Sequence, residues 1–259
     1  MFELKLPTMV GPRTERETDV LCGPRRIEPA YAVARTASVR RSSFRLVYES
    51  YLRAGLCRPN PWKQRVTPYH LLDTTTVFVA AVDGLVISTL SLIEDSRHGL
   101  PMEAVYPEAI RHRREQGYRL AEVSCLADRR RQMTRFLDSF ISLTRLMAQF
   151  ARHHGIHQLL LVCHPRHARF YRRFMCFETI GGLTECPHVC GRPAVALCFD
   201  FAKIDRERPP GWDRFFGEAI PEEELERTCL APGERKMLAS MIDPDFSGLS
   251  ANDDQVVTA

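Results

Sequence analysis

The sequence predicts an α/β (α+β) domain, and three observations carry the prediction. Runs rich in β-branched and apolar residues alternate with helical periodicities in the order β-α-β-β-α-β-α-β-α-β-β. Two adjacent strand runs, 75–82 and 85–93, meet at Asp83-Gly84, a dipeptide of tight hairpins because both residues tolerate positive φ. A chain of 259 residues, 44% hydrophobic and 26% charged, also has enough apolar material for one large core.

Taken in order, residues 1–30 mix Gly, Pro, Arg and Thr without sustained periodicity and are expected to form a flexible arm. A short first strand is expected over 31–35. Ser42 or Ser43 then offers an N-cap for an amphipathic helix bearing Phe44, Val47, Tyr48, Tyr51 and Leu52, closed by Gly55. After the hairpin, 102–116 reads as helix and 118–126 as strand. The longest helical signal follows: Thr134 as cap, Phe136, Leu137, Phe140, Ile141, Leu143, Met147 and Phe150 on one side, and a stop near Gly155. A buried strand over 157–163, a helix opened by Pro165 and running to Phe174, and a last strand over 195–201 complete the domain, bounded as 31–202. Beyond it, 203–259 is an acidic extension with short apolar clusters (Trp212, Phe215, Phe216; Leu225, Leu230), expected to pack in part as short helices and to be disordered from about residue 247.

Composition excludes several classes. No run of about 18 apolar residues occurs and the first ten residues lack an apolar signal core, so a cytoplasmic protein without a membrane span is expected. The nine cysteines are scattered and odd in number, as reduced core residues would be, and Cys186, His188 and Cys190 lack zinc-knuckle spacing, so no metal is expected. The net charge of +4 conceals an asymmetry. Residues 111–173 hold 14 arginines against four carboxylates, whereas 200–254 hold 14 acidic and seven basic residues. A basic middle calls for an acidic or phosphate-bearing partner; nucleic acid is not expected, because no reading motif or aromatic interleaving accompanies the arginines.

The segment His164, Pro165, Arg166, His167, Ala168, Arg169, Phe170, Tyr171, with Phe177 six further on, resembles the acyl-carrier motif of the Gcn5-related N-acyltransferase fold, with Cys176 where a glycine is usual. Asp95, Ser96, Gly99, Leu100, Pro101, Met102, Glu103 and then Arg119, Leu120, Ala121, Glu122, Val123, Ser124, Leu126, Ala127 are similar to the N-acyl amino acid synthases of the FeeM type. Those enzymes are related to the acyl-homoserine-lactone autoinducer synthases and to exosortase-associated acyltransferases. The resemblance spans residues 31–201, about two thirds of the chain. It implies a central mixed, mostly antiparallel sheet flanked by helices. It also implies an enzyme that moves a long-chain acyl group from acyl carrier protein to the amine of an amino acid. No cofactor is then bound permanently; the acyl-phosphopantetheine of the carrier, or acyl-CoA, is the donor substrate. Two departures stand out: Cys125 replaces the Arg that many relatives carry after Glu-Val-Ser, and 128–134 lacks the glycines that wrap a pyrophosphate, which disfavours coenzyme A. Rival readings are an acetyl-CoA-dependent N-acetyltransferase, an autoinducer synthase and a carrier-binding module without activity.

N-acylation from a thioester needs a deprotonated amine, an oxyanion site and protonation of the leaving thiolate. Glu122, on a strand among Leu120, Val123 and Leu126, is the expected base, since desolvation raises a carboxyl pKa. Ser124, two residues on, would share its face and hold substrate or a water. Tyr171 is placed at the carrier sulfur, and backbone N–H groups where the strands splay would meet the oxyanion. Arg129, Arg130, Arg131 and Arg135 at the start of the long helix, with Arg169 on the next, are expected to meet phosphopantetheine phosphate and the acidic carrier. On the substrate side the expectation is Arg45 for the acceptor carboxylate with Tyr48 beside it, and Phe78, Leu90, Phe136 and Phe140 along the acyl chain.

Overall fold

The computed structural model describes residues 28–130 and 133–246, without the side chains of 133–136. The expected arm up to Ile27, Arg131, and the end of the extension from residue 247 lie outside the described residues, as do the side chains of Arg135 and Phe136.

Seven strands form one sheet in the order β1-β2-β3-β4-β5-β7-β6. They are β1 (Ala30–Val33), β2 (Thr75–Val82), β3 (Leu85–Glu94), β4 (Leu120–Asp128), β5 (Gln158–Cys163), β6 (Glu178–Cys186) and β7 (Arg192–Asp200). Every pairing is antiparallel except β4 with β5. The hairpin turns where expected, with Asp83 at φ 50° and Gly84 at φ 77°.

The helices are α1 (Ala37–Ala54), α2 (Pro107–Glu115), α3 (Met133–His153), α4 (Pro165–Phe174), α5 (Phe201–Glu207), α6 (Trp212–Phe216) and α7 (Pro232–Ala239). α1 starts earlier than the sequence reading placed it. Thr36 is the N-cap, its hydroxyl accepting from the Val39 N–H at 3.3 Å, while Ser42 and Ser43 lie inside the helix and donate to carbonyls one turn back. Gly55, at φ 67°, ends it as expected. The single helix expected over 102–116 is instead a short 3₁₀ turn, Pro101–Ala104, followed by α2, because Pro107 starts a new helix rather than continuing one. β7 begins at Arg192, three residues before the expected start, since Ala194 already pairs with Thr184.

Alternation along the strands divides the core between two faces. Phe78, Leu90, Leu92, Ala121, Leu159, Leu161 and Leu197 pack against Leu143, Met147, Phe150 and Ala151 of α3. These helix residues recur every three or four positions, Leu143, Met147 and Phe150 each worth about 1.5–3 kcal/mol when buried. The opposite face packs Val77, Val79 and Cys125 beneath Phe44, Leu46 and Val47 of α1, and Ile93, Leu120 and Leu160 beneath Met102 and Ile110. The extension wraps both faces. Leu238 of α7 is fully buried with the α1 cluster, Arg40 on α1 is bidentate to Glu234, and Trp212 and Phe216 of α6 pack on the α3 side.

Candidate active site

β4 and β5 are paired only from Leu120↔Gln158 to Val123↔Leu161. β4 runs on to Asp128 and β5 to Cys163, so the two strands part in a V. The cause is local: the register of β4 on β3 shifts between Ser91↔Ser124 and Thr89↔Ala127, one extra residue, with Cys125 at φ 53°. Such a bulge bends its strand away from the neighbour and leaves backbone groups on the parted edges without a sheet partner. This is the splay that the sequence reading anticipated for the oxyanion.

A cavity of about 610 Å³ opens at the V, its walls largely apolar. Glu122, Ser124, Tyr171, Leu90 and Phe140 line it. Glu122 is 4% exposed, and its Oε2 accepts the Met102 N–H at 2.8 Å. Burial pushes its carboxyl up to about 8; the Met102 hydrogen bond pulls the other way, and nearby Glu103 adds to the rise. Ser124 is half-buried, its hydroxyl donating to Cys125 Sγ at 3.7 Å. Tyr171 sits in an aromatic cluster, with ring centroids 5.7 Å from Phe177 and 6.3 Å from Phe140. Burial raises its phenol, the neighbouring Cys163 thiol adding to the effect.

Other expected residues are elsewhere. Arg45 is on the exposed side of α1, away from the cavity wall, and Tyr48 is buried in the core, its hydroxyl accepting from the Asn60 N–H at 3.4 Å. Phe78 is fully buried edge-on to Phe150, with ring centroids 5.2 Å apart, and takes no part in the wall. Arg129 is exposed and 3.5 Å from Glu49. Arg130 folds back on Asp128 at 2.6 Å and on Ser139 Oγ at 2.6 Å. Arg169 is exposed on α4 in a shallow groove with Arg172 and Arg173, and none of the three has an ion-pair partner among the described residues. No cluster with the makings of a metal site occurs among the described residues.

Several wall residues were not singled out by sequence reading. Arg65 follows α1 in a loop with no periodic signal, yet it is 2% exposed, paired with Asp243 at 2.7 Å and set over the rings of Tyr51 and Phe246 at 5.0 and 5.3 Å. Cys125, where relatives carry Arg, is buried within its electrostatic reach. Arg192, exposed at the same end of the cavity, has no acidic partner among the described residues; its Nε reaches the Gly55 carbonyl at 3.4 Å. Trp212, Phe215 and Phe216, visible in sequence only as an apolar cluster, form part of the wall on the α3 side.

A mixed sheet whose parallel pair opens over a desolvated carboxylate, with an apolar cavity leading away, is the architecture of the Gcn5-related N-acyltransferase fold. Its strand order, five antiparallel pairings interrupted by one parallel pair, is that of the expected fold. The family model of the N-acyl amino acid synthase FeeM matches residues 42–200, more than half of the chain, and the chain belongs to that family. The enzyme is thus an N-acyl amino acid synthase, an acyltransferase with an amino acid as acceptor.

Solved structures agree on the fold. FeeM, an N-acyl amino acid synthase from uncultured soil microbes, is 22% identical, covering 70% of this chain and 94% of its own at TM-score 0.62. The acyl-homoserine-lactone synthase LasI is 15% identical, covering 74% and 96% at TM-score 0.52. The CoA-dependent acyl-homoserine lactone synthase BjaI, with SAM and isopentyl-CoA, is 16% identical, covering 71% and 90% at TM-score 0.51. No curated protein matches significantly. Among the described residues no helix is long and apolar enough to cross a membrane.

Proposed function

We propose that the donor is a long-chain acyl group on acyl carrier protein and that transfer is direct, within a ternary complex, with Glu122 as base. The observation that carries this reading is the buried Glu122 carboxyl at the wall of the apolar cavity, raised to about 8 by desolvation. A base of that strength takes the proton that the neutral amine releases as the C–N bond forms, where an ordinary surface carboxylate is too weak. The amine nitrogen attacks the thioester carbonyl and Glu122 takes its proton. Backbone N–H groups of the parted β4 edge hold the oxyanion. The C–S bond then breaks, and Tyr171 passes a proton to the leaving thiolate, its phenol being restored by the proton that Glu122 took. Ser124 positions the amine.

The acceptor enters from the α1 side, where Arg65 and Arg192 line the cavity. Arg65 is already neutralised by Asp243, so Arg192, without a carboxylate partner among the described residues, is the better clamp for the acceptor's carboxylate. The acyl chain lies on the α3 side among Leu90, Phe140 and Met147. The carrier docks on the α4 arginines Arg169, Arg172 and Arg173, which lack intramolecular ion pairs among the described residues; Arg130, tied to Asp128, contributes less.

The test is the intact mass of products after the protein is mixed with palmitoyl carrier protein, palmitoyl-CoA or acetyl-CoA and a pool of the twenty amino acids. A carrier-dependent N-palmitoyl amino acid supports the reading and names the acceptor. Product from acetyl-CoA alone overturns it in favour of an acetyltransferase.

A further inference from the structure

The family match ends at residue 200, yet Trp212, Phe215 and Phe216 of α6 line the same cavity as Glu122. They lie opposite one stripe of α3, on which Thr144 and Ala148 are small and leave room between the two helices.

The α6 wall is fixed at both side chain and backbone. Trp212 Nε1 donates to Asp205 Oδ1 at 3.0 Å, and Asp205 is held bidentate by Arg152 at 2.8 and 3.0 Å. The same Arg152 guanidinium lies 4.6 Å over the Phe216 ring, which packs 5.6 Å from Trp212. From α3, Gln149 Nε2 donates to the Phe215 and Glu218 carbonyls at 2.7 and 2.9 Å, and its Oε1 accepts the Ile220 N–H at 2.8 Å. An aromatic wall held by so many directional bonds is a stop and not a lid: moving it breaks a charge–ring contact and four hydrogen bonds together.

We propose that this part of the C-terminal extension, Trp212 above all, is the end stop of the acyl tunnel and sets the longest acyl chain the enzyme accepts. The inference rests on reading the cavity as an acyl site. Its physical basis is steric. A chain one or two methylenes too long meets an indole that cannot move aside, whereas a chain too short leaves part of the tunnel unfilled; each methylene in a close-fitting pocket changes kcat/KM by roughly 10- to 200-fold.

The experiment measures kcat/KM for even-numbered acyl carrier protein thioesters from octanoyl to eicosanoyl on the full chain and on two variants that move the stop in opposite directions. Trp212→Ala is expected to raise the ratio of the next longer chain over the wild-type optimum by about tenfold or more. Ala148→Leu, which fills the tunnel from the facing helix, is expected to shift the optimum to a shorter chain, and it keeps the proposal testable should Trp212→Ala not fold. Unchanged length profiles in the folded variants overturn the proposal.

A second measurement is independent of turnover. Trp212 and Trp62 are the only tryptophans, so in a Trp62→Phe background the emission reports on Trp212. An acyl-CoA brominated at its terminal carbon is expected to quench it, and the same chain brominated beside the carbonyl is not; equal quenching by both, or none, overturns the end stop. If the wild type forms no N-acyl product yet shows terminal-bromine quenching, the assigned reaction fails and the stop stands. If product forms with unaltered length profiles, the stop fails and the reaction stands.

Discussion

Arg65 and Asp243, 178 residues apart in sequence, meet at 2.7 Å with their side chains 2% and 1% exposed. The pair fastens the end of the described chain to the cavity wall. Asp243 also donates its backbone N–H to the Val66 carbonyl at 2.8 Å, and Phe246, three residues on, stacks on His188 with ring centroids 4.3 Å apart. Two charges removed from water in this way are costly singly and tolerable together.

Asp243→Ala is therefore expected to cost about 3–5 kcal/mol, because it leaves the Arg65 guanidinium buried without its counter-charge. The double variant Arg65→Met with Asp243→Leu is expected to recover most of that loss. Urea unfolding of the wild type, Asp243→Ala and the double variant checks this; a double variant no more stable than Asp243→Ala would refute the coupling.

Glu122→Gln is expected to lower kcat by about 10²–10⁴-fold, the range typical of a lost general base, while leaving the fold intact, since the Gln carbonyl still accepts the Met102 N–H. In the wild type, kcat/KM is expected to rise with pH and level off above about 8 as Glu122 ionises. Loss of that limb in Glu122→Gln, with only the acceptor's own ionisation remaining, identifies the base.

The same carboxyl makes a separate prediction for stability. Its folded pKa, about 8, lies above the ordinary carboxyl value. Between the two the folded state binds the proton and the unfolded state does not, so stability falls as pH rises through this window and levels off above it. Glu122→Gln removes the penalty. It is expected to be more stable than wild type by about 1–3 kcal/mol at pH 8 and above, the range for a buried polar group, with the difference fading toward pH 4. Thermal unfolding across that range is the check.

Arg192→Ala is expected to raise the acceptor KM about tenfold, the loss of one charge-assisted contact, with a smaller effect on kcat. Charge reversal at Arg169 and Arg172 is expected to raise KM for the carrier-bound donor more than for acyl-CoA, and the wild-type carrier KM is expected to rise with salt. An equal effect on both donors would place these arginines at the phosphate alone.

Cys125→Val is expected to cost about 1–3 kcal/mol, because a β-branched residue fits poorly at φ 53° and the bulge that parts β4 from β5 depends on that conformation. Denaturation midpoints compared with those of Cys125→Ala, which lacks the branch, check it.

The order of elements, the hairpin at Asp83-Gly84 and the start of α4 at Pro165 were legible in the sequence because each rests on local chemistry: periodicity, a turn dipeptide, a ring that fixes φ. So was the burial of Glu122, through its apolar neighbours. The start of α1 was misplaced because Thr36, Ser42 and Ser43 are all competent caps, and packing of the first turns chose among them. Tertiary structure alone decided which arginine faces the cavity, which aromatic residues belong to its wall and which to the core, and where the acidic extension goes. Phe78 on β2 and Phe140 on α3 are both apolar positions in the sequence, and only the packing of α3 on the sheet buries one against Phe150 and sets the other beside the cavity. Arg65 finds its partner at Asp243 through a contact that no local pattern encodes, because its free energy exists only once the chain has brought two distant charges out of water to the same place.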